Sequence, residues 1–134
     1  MLALSIVPTA NLGSFVPGFA GEYTTDVGGT VTSTAGDAAL SVADPSANAT
    51  GRLVNGTFAL VAPLEARATN SANPSSVFAP VGSGVSPLVL LTYAAPVSLD
   101  RVMIGLKQAI GANESLRTGT YSKTLTFTLS TTTP

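Results

Sequence analysis

Residues 117–134, Arg-Thr-Gly-Thr-Tyr-Ser-Lys-Thr-Leu-Thr-Phe-Thr-Leu-Ser-Thr-Thr-Thr-Pro, alternate almost without a break. Tyr121, Leu125, Phe127 and Leu129 fall on one side, and Thr120, Ser122, Thr124, Thr126, Thr128 and Ser130 on the other. A period of two in aromatic and β-branched residues predicts a half-buried antiparallel strand over residues 120–131, launched by a turn at Thr118-Gly119. Residues 101–110 alternate in the same way, with Val102, Ile104, Leu106 and Ile110 facing in and Arg101, Met103, Gly105 and Lys107 facing out. Gln108 shares the apolar side and needs a hydrogen-bond partner there. The two segments are consecutive and joined by a short connection, so they are expected to pair as a hairpin.

Upstream, Leu2, Leu4 and Ile6 share a face of an edge or first strand that Pro8 ends, since proline has no N–H to donate. Residues 11–21 read as a loop whose Phe15 and Phe19 plug the end of the core. Tyr23, Val27, Gly29, Val31 and Ser33 then oppose Thr30, Thr32 and Thr34, and Gly28-Gly29 predicts a bulge or kink. Ala35-Gly36-Asp37 reads as a tight turn into residues 38–43, with Leu40 and Val42 inward, making a second hairpin. Residues 44–51 have loop composition, and Asn55-Gly56 predicts a type I′ hairpin, with Pro63 closing its second strand. Residues 64–68 form a further short strand, and residues 69–76 are the longest polar connection, expected to be mobile. Residues 88–93 are apolar on both faces, Leu88 and Leu90 on one and Val89, Leu91 and Tyr93 on the other. Such a segment is expected either at the centre of a sheet or with its outer face covered.

Eight or nine short strands with turn signals between them, and no helical period, place residues 1–134 as one all-β domain. The architecture expected is an antiparallel two-sheet β-sandwich, immunoglobulin-like, with a jelly roll or barrel as the alternative.

Composition narrows the function classes. Charged residues make up 10% of the chain, against roughly a quarter in ordinary globular proteins. With a net charge of -1 there is no basic footprint for nucleic acid. No apolar run approaches the roughly 18 to 20 residues of a membrane-spanning helix, so membrane insertion is not expected. The surface must instead be Thr, Ser, Asn, Gly and Ala, as is common outside cells or on their surfaces. Cysteine and histidine are both absent, which removes disulfides, thiolate metal sites, the usual general base and the commonest metal ligand. Glu22, Asp26, Asp37, Asp44, Glu65, Asp100 and Glu114 are scattered and read as solvated turn residues, not a catalytic pair. Asp44-Pro-Ser-Ala-Asn48 lacks the ligand spacing of a calcium loop. No enzyme activity, cofactor or metal is therefore expected. Lys107 and Lys123 are read as solvated rather than as intramolecular isopeptide staples, and the threonine rows as ordinary wet strand faces. Tryptophan is absent too, leaving Tyr93 and Tyr121 as the platforms on which a carbohydrate could stack.

Residues 105–134, together with Thr-Val-Thr-Ser-Thr-Ala-Gly-Asp at 30–37 and residues 43–60, resemble a β-sandwich domain that recurs in large secreted actinobacterial proteins. The Gly119, Tyr121, Thr124, Leu125 and Thr126 pattern is also similar to the final strands of WxL-type cell-wall domains and of chaperone-usher pilus subunits. The resemblance implies export and an accessory role, and it carries over no catalytic residue. The opening residues are too short for a signal peptide's apolar core, so an excised domain of a longer exported chain is expected. Two functions follow. The first is a non-catalytic structural or association module, self-associating into a homo-oligomer or docking neighbouring domains through strand edges at Leu2, Leu4, Ile6, Leu88 and Leu90. The alternative is a carbohydrate-binding accessory module of a secreted protein, built on Tyr93 and Tyr121.

Overall fold

The structure, a computed structural model, describes residues 1–7, 10, 12, 15, 18–113 and 121–131. These residues form eleven strands and no helix. In chain order they are β1 (Leu2–Ile6), β2 (Gly21–Ser33), β3 (Ala38–Asp44), β4 (Val54–Asn55), β5 (Phe58–Ala59), β6 (Glu65–Thr69), β7 (Ala79–Pro80), β8 (Gly82–Ser83), β9 (Leu88–Tyr93), β10 (Val97–Ile110) and β11 (Thr126–Ser130).

One sheet is five-stranded in the order β1-β2-β10-β6-β7, all neighbours antiparallel. The second is organised on β3, which pairs antiparallel with β11 on one side and with β9 on the other, and takes a short parallel bridge from β8. The sheets face one another across a shared core, with β1 against β11 and β6 against β9. Val31, Leu40, Val42 and Ile104 are fully excluded from water and lie at the centre. The alternation that defines the strands fixes this arrangement, because every second side chain of β2, β3, β10 and β11 must leave water together.

Two expected hairpins are not formed. Residues 126–130 pair with β3, from Thr126↔Ala43 to Ser130↔Ala39, and not with residues 101–110. The long β10 already has β2 along nearly its whole length and β6 along its middle, so it offers no edge to β11. Likewise β2 and β3 lie in different sheets. After Ser33 the chain crosses the sandwich, with Ala35 buried and its N–H donated to Ser33 Oγ at 3.2 Å. Alternation reports which face a residue lies on but not which strand lies beside it, and both errors come from that gap.

Smaller features also depart from expectation. The β2–β10 register runs unbroken past Gly28 and Gly29 and slips only between Val97 and Asp100. Gly29 is required by crowding instead, since a Cβ there would stand 2.9 Å from the Ser5 carbonyl oxygen and 3.2 Å from Val102. The β4–β5 hairpin forms as expected, but Asn55 pairs with Phe58, so Gly56 and Thr57 are the central residues. Of these only Gly56 has positive φ (63°), the pattern of a type II′ rather than a type I′ turn. Phe15 packs into the core as expected, whereas Phe19 is 69% exposed and plugs nothing. The segment that read as apolar on both faces, β9, is neither central nor, among the described residues, covered by another strand. It borders the sheet, and its register slips so that Leu40 pairs with Leu91 and Ser41 with Val89, leaving Leu90 as the extra residue of a bulge. The bulge turns both Leu90 and Leu91 toward the core and leaves Val89 55% exposed.

Candidate association edge and buried ion pair

The four borders of the two facing sheets differ in a way the sequence pattern does not announce. At the β6/β9 side, β7 has two residues and one is Pro80, β8 has two residues, and β9 carries the bulge at Leu90. Short edges, proline and bulges are the devices that stop a free strand from templating another chain. At the opposite side neither β1 nor β11 has any of them. The register of β1 on β2 is regular from Leu2↔Ser33 to Ile6↔Gly29, and that of β11 on β3 is regular throughout. Neither strand contains a charged residue, nor do the stretches 29–33 and 39–43 that they pair with.

Apolar side chains line the core at both sides. At the guarded side Ala66, Ala68 and Leu91 are at most 5% exposed, with Leu88, Leu90 and Tyr93 partly buried beside them. At the other, Leu4, Ile6, Phe127 and Leu129 pack on the core yet remain only partly buried. Leu2, with 36% exposure, continues that rim. Of the expected association residues, the structure thus brings Leu2, Leu4 and Ile6 to a border, shared with β11, that no further strand covers among the described residues. Leu88 and Leu90 lie on β9 at the far side, turned into the core.

The charged groups are gathered elsewhere. On the outer face of the five-stranded sheet Lys107 pairs with Glu22 at 3.0 Å and Glu65 at 3.5 Å, and lies 5.0 Å from the Phe78 ring, over which Arg67 also stacks at 4.4 Å. The Glu22 hydrogen bond holds the Lys107 ammonium above its ordinary value, against desolvation and with help from Glu65. Lys107 faces outward as expected, but it is ion-paired rather than simply solvated.

Lys123 departs further. Its Nζ lies 3.1 Å from Asp44 Oδ2, and both side chains are withdrawn from water, at 6% and 0% exposure. It also donates to the Asn48 carbonyl and, at 3.1 Å, to that of Ala49. Asp44 accepts from Ser46 N at 3.0 Å and Gly51 N at 2.7 Å, so its carboxylate organises the whole 44–51 loop. Burial pushes the Asp44 carboxyl up, but the Gly51 and Ser46 N–H groups and Lys123 outweigh it and hold the carboxyl below its ordinary value. The ammonium thus occupies the position a bound cation would take in such a loop, in contact with one carboxylate oxygen and two carbonyls. A signal for this was present. Asp44 shares the parity of Leu40 and Val42, and Lys123 that of Tyr121 and Leu125, so opposite charges fell on the inward faces of two strands that prove to be neighbours.

The aromatic platforms are engaged in structure. Tyr93 pairs with Ala38 and follows the inward parity of Leu91, and its hydroxyl donates to Asp100 Oδ2 at 2.7 Å. Asn70 Nδ2 donates to the same oxygen at 2.9 Å, which ties the two sheets and the 70–73 turn together at one end of the sandwich. Burial, then the Asp100 hydrogen bond, pushes the Tyr93 phenol well up. Tyr121 is half-buried beside Phe15, with ring centroids 6.5 Å apart. Gln108 is fully buried as expected, and its Nε2 donates to the carbonyls of Ala62 at 3.1 Å and Ala109 at 2.8 Å. Among the described residues no three acidic side chains converge on a point that could hold a metal ion, and no helix is long and apolar enough to cross a membrane.

Compared with protein-family models, with curated proteins and with solved structures, the chain matches none.

Proposed function

We propose that this chain is a non-catalytic structural module of an extracellular or cell-surface bacterial protein, and that it associates through its strand edges. The observation that carries the reading is the one-sided placement of edge protection. Pro80, the two-residue β7 and β8 and the β9 bulge all stand on one side, and β1 and β11 on the other are regular and uncharged. A monomer with nothing to dock gains by protecting every border. The sparse charge and the resemblance of residues 105–134 to secreted actinobacterial domains support an exported setting. We read the sandwich as immunoglobulin-like because its strands divide between two facing sheets and the chain passes repeatedly from one to the other, after β2, β7, β9 and β10 and between β3 and β6.

Light scattering across a concentration series, on the full chain and on a chain lacking residues 1–7, tests the reading. The full chain is expected to rise above monomer mass with concentration and the shortened chain to do so less. A full chain that stays monomeric throughout overturns the reading.

A second reading, carbohydrate binding, rests on a cavity of about 270 Å³ lined by Asp37, Ala39, Thr92, Tyr93, Ser130 and Thr131. Its rim carries the hydroxyls of Thr92, Ser130 and Thr131 and the Asp37 carboxylate, although Thr131 donates to Asp37 and Tyr93 has its hydroxyl committed to Asp100. Glycan binding that is lost in Ala39→Phe, which fills the cavity, would favour it.

A further inference from the structure

We propose that the partner at the open border is a second copy of this chain, joined by antiparallel pairing of β1 with itself about a two-fold axis at Leu4. This rests on the association reading above and specifies its geometry.

The hydrogen bonds flanking β1 set the parity of its free edge. Thr34 N donates to Met1 O at 2.9 Å and Val7 N to Gly28 O at 3.1 Å, so the odd-numbered residues of β1 face β2 with their backbone groups. The alternation of an antiparallel ladder then directs the N–H and C=O of Leu2, Leu4 and Ile6 away from the sheet. By the same alternation these residues make no ladder bond with β2, and no backbone bond outside the ladders reaches them among the described residues. A second copy turned about an axis normal to the sheet presents the same three residues, and the register Leu4↔Leu4 with Leu2↔Ile6 makes about six hydrogen bonds between the chains.

The same register matches the side chains. Leu2, Leu4 and Ile6 meet their counterparts on the core side, where the rim is now half open. On the wet face Ala3 meets Ser5, and Met1 and Val7, 72% and 52% exposed in the isolated chain, meet each other. No charge lies on β1 or on residues 29–33 beside it, so like charges do not oppose the pairing. Because the surface is paired with itself, the assembly closes as a dimer, whereas β1 against β11 would be head-to-tail and open-ended.

Ala3 and Ser5 are exposed, and the chain has no cysteine, so single cysteines there report the register without disturbing the core. Full-length Ala3→Cys and Ser5→Cys chains, mixed and oxidised, are expected to give mixed disulfide dimers in excess of the statistical share, and little self-linked product from either alone. The Ala3→Lys/Ser5→Lys double variant, which sets ammonium groups opposite one another across the axis, is expected to weaken dimerisation at least about tenfold in sedimentation velocity. Its fold is checked by circular dichroism. A chain that is monomeric at every concentration overturns this inference and the association reading together. Association that survives the lysine variant, self-linked products that dominate, or growth beyond a dimer would each overturn the β1 pairing while leaving edge association standing.

Discussion

At the scale of single residues, Lys123 and Asp44 are the pair on which most depends. Removing one member strands the other charge without water, so Lys123→Met and Asp44→Asn are each expected to cost about 3 to 5 kcal/mol in urea unfolding. The double variant should cost less than the sum, because its second change removes the stranded charge. Lys123→Ala leaves room where the ammonium stood, and added methylammonium should restore part of its stability. Acid acts through the same group. The Asp44 carboxyl titrates below its ordinary value of 3.8 when folded, so the native chain binds fewer protons than the unfolded chain in the range just below that value. Its stabilising share is present above 3.8 and is lost as the pH falls through the folded value. Unfolding free energies measured between about pH 5 and pH 2 should fall with acid in the native chain, and fall less steeply in Asp44→Asn. No isopeptide bond is expected between the two, because the Gly51 and Ser46 N–H groups and Lys123 hold the Asp44 carboxyl below its ordinary value, which favours an ion pair over an amide. The intact mass should equal that of the sequence, with no water lost.

Single elements show how much of the fold could be read in advance. The faces of β2, β3, β10 and β11 were legible, down to the burial of Gln108, because the period of two is a property of each strand alone. Apart from the local β4–β5 hairpin, neighbours were not legible, since they depend on which edges remain open once the longest strand is paired. The double apolar character of β9 was visible, but its cause, a bulge opposite Leu40 and Ser41, required the partner strand. Gly28 and Gly29 carry the same lesson. Read as one signal, they have different surroundings: a Cβ at Gly28 meets nothing within 4 Å, and one at Gly29 is wedged between Ser5, Ile6 and Val102. Gly28→Ala is therefore expected to leave stability unchanged or slightly raised. Gly29→Ala should cost about 1 to 3 kcal/mol, the usual effect of overpacking. Thermal unfolding of the two variants side by side decides it, and equal midpoints would show that β1 is not packed on β2 as described.

Across the whole molecule, the strands that lie farthest apart in sequence hold its two ends together. Met1 accepts a hydrogen bond from Thr34 N, and its ammonium group donates to Thr34 Oγ1. Thr131 Oγ1 donates to Asp37 Oδ1 at 2.7 Å, so both described ends are moored to the same crossover between β2 and β3. Residues 71–75, by contrast, form an exposed turn after β6. A circular permutant that opens the chain between Pro74 and Ser75 and joins its old ends through a short Gly-Ser linker should keep every strand pairing. Because loop-closure entropy changes slowly with length, its stability is expected to stay within about 1 to 2 kcal/mol of the parent. Far-UV circular dichroism and urea unfolding measure this. A permutant that fails to fold would mean that β1 and β11 do not share one side of the sandwich. A permutant that folds but no longer associates would show instead that the open border needs a free β1 terminus, since the linker leaves Leu2, Leu4 and Ile6 in place and alters only what precedes Met1.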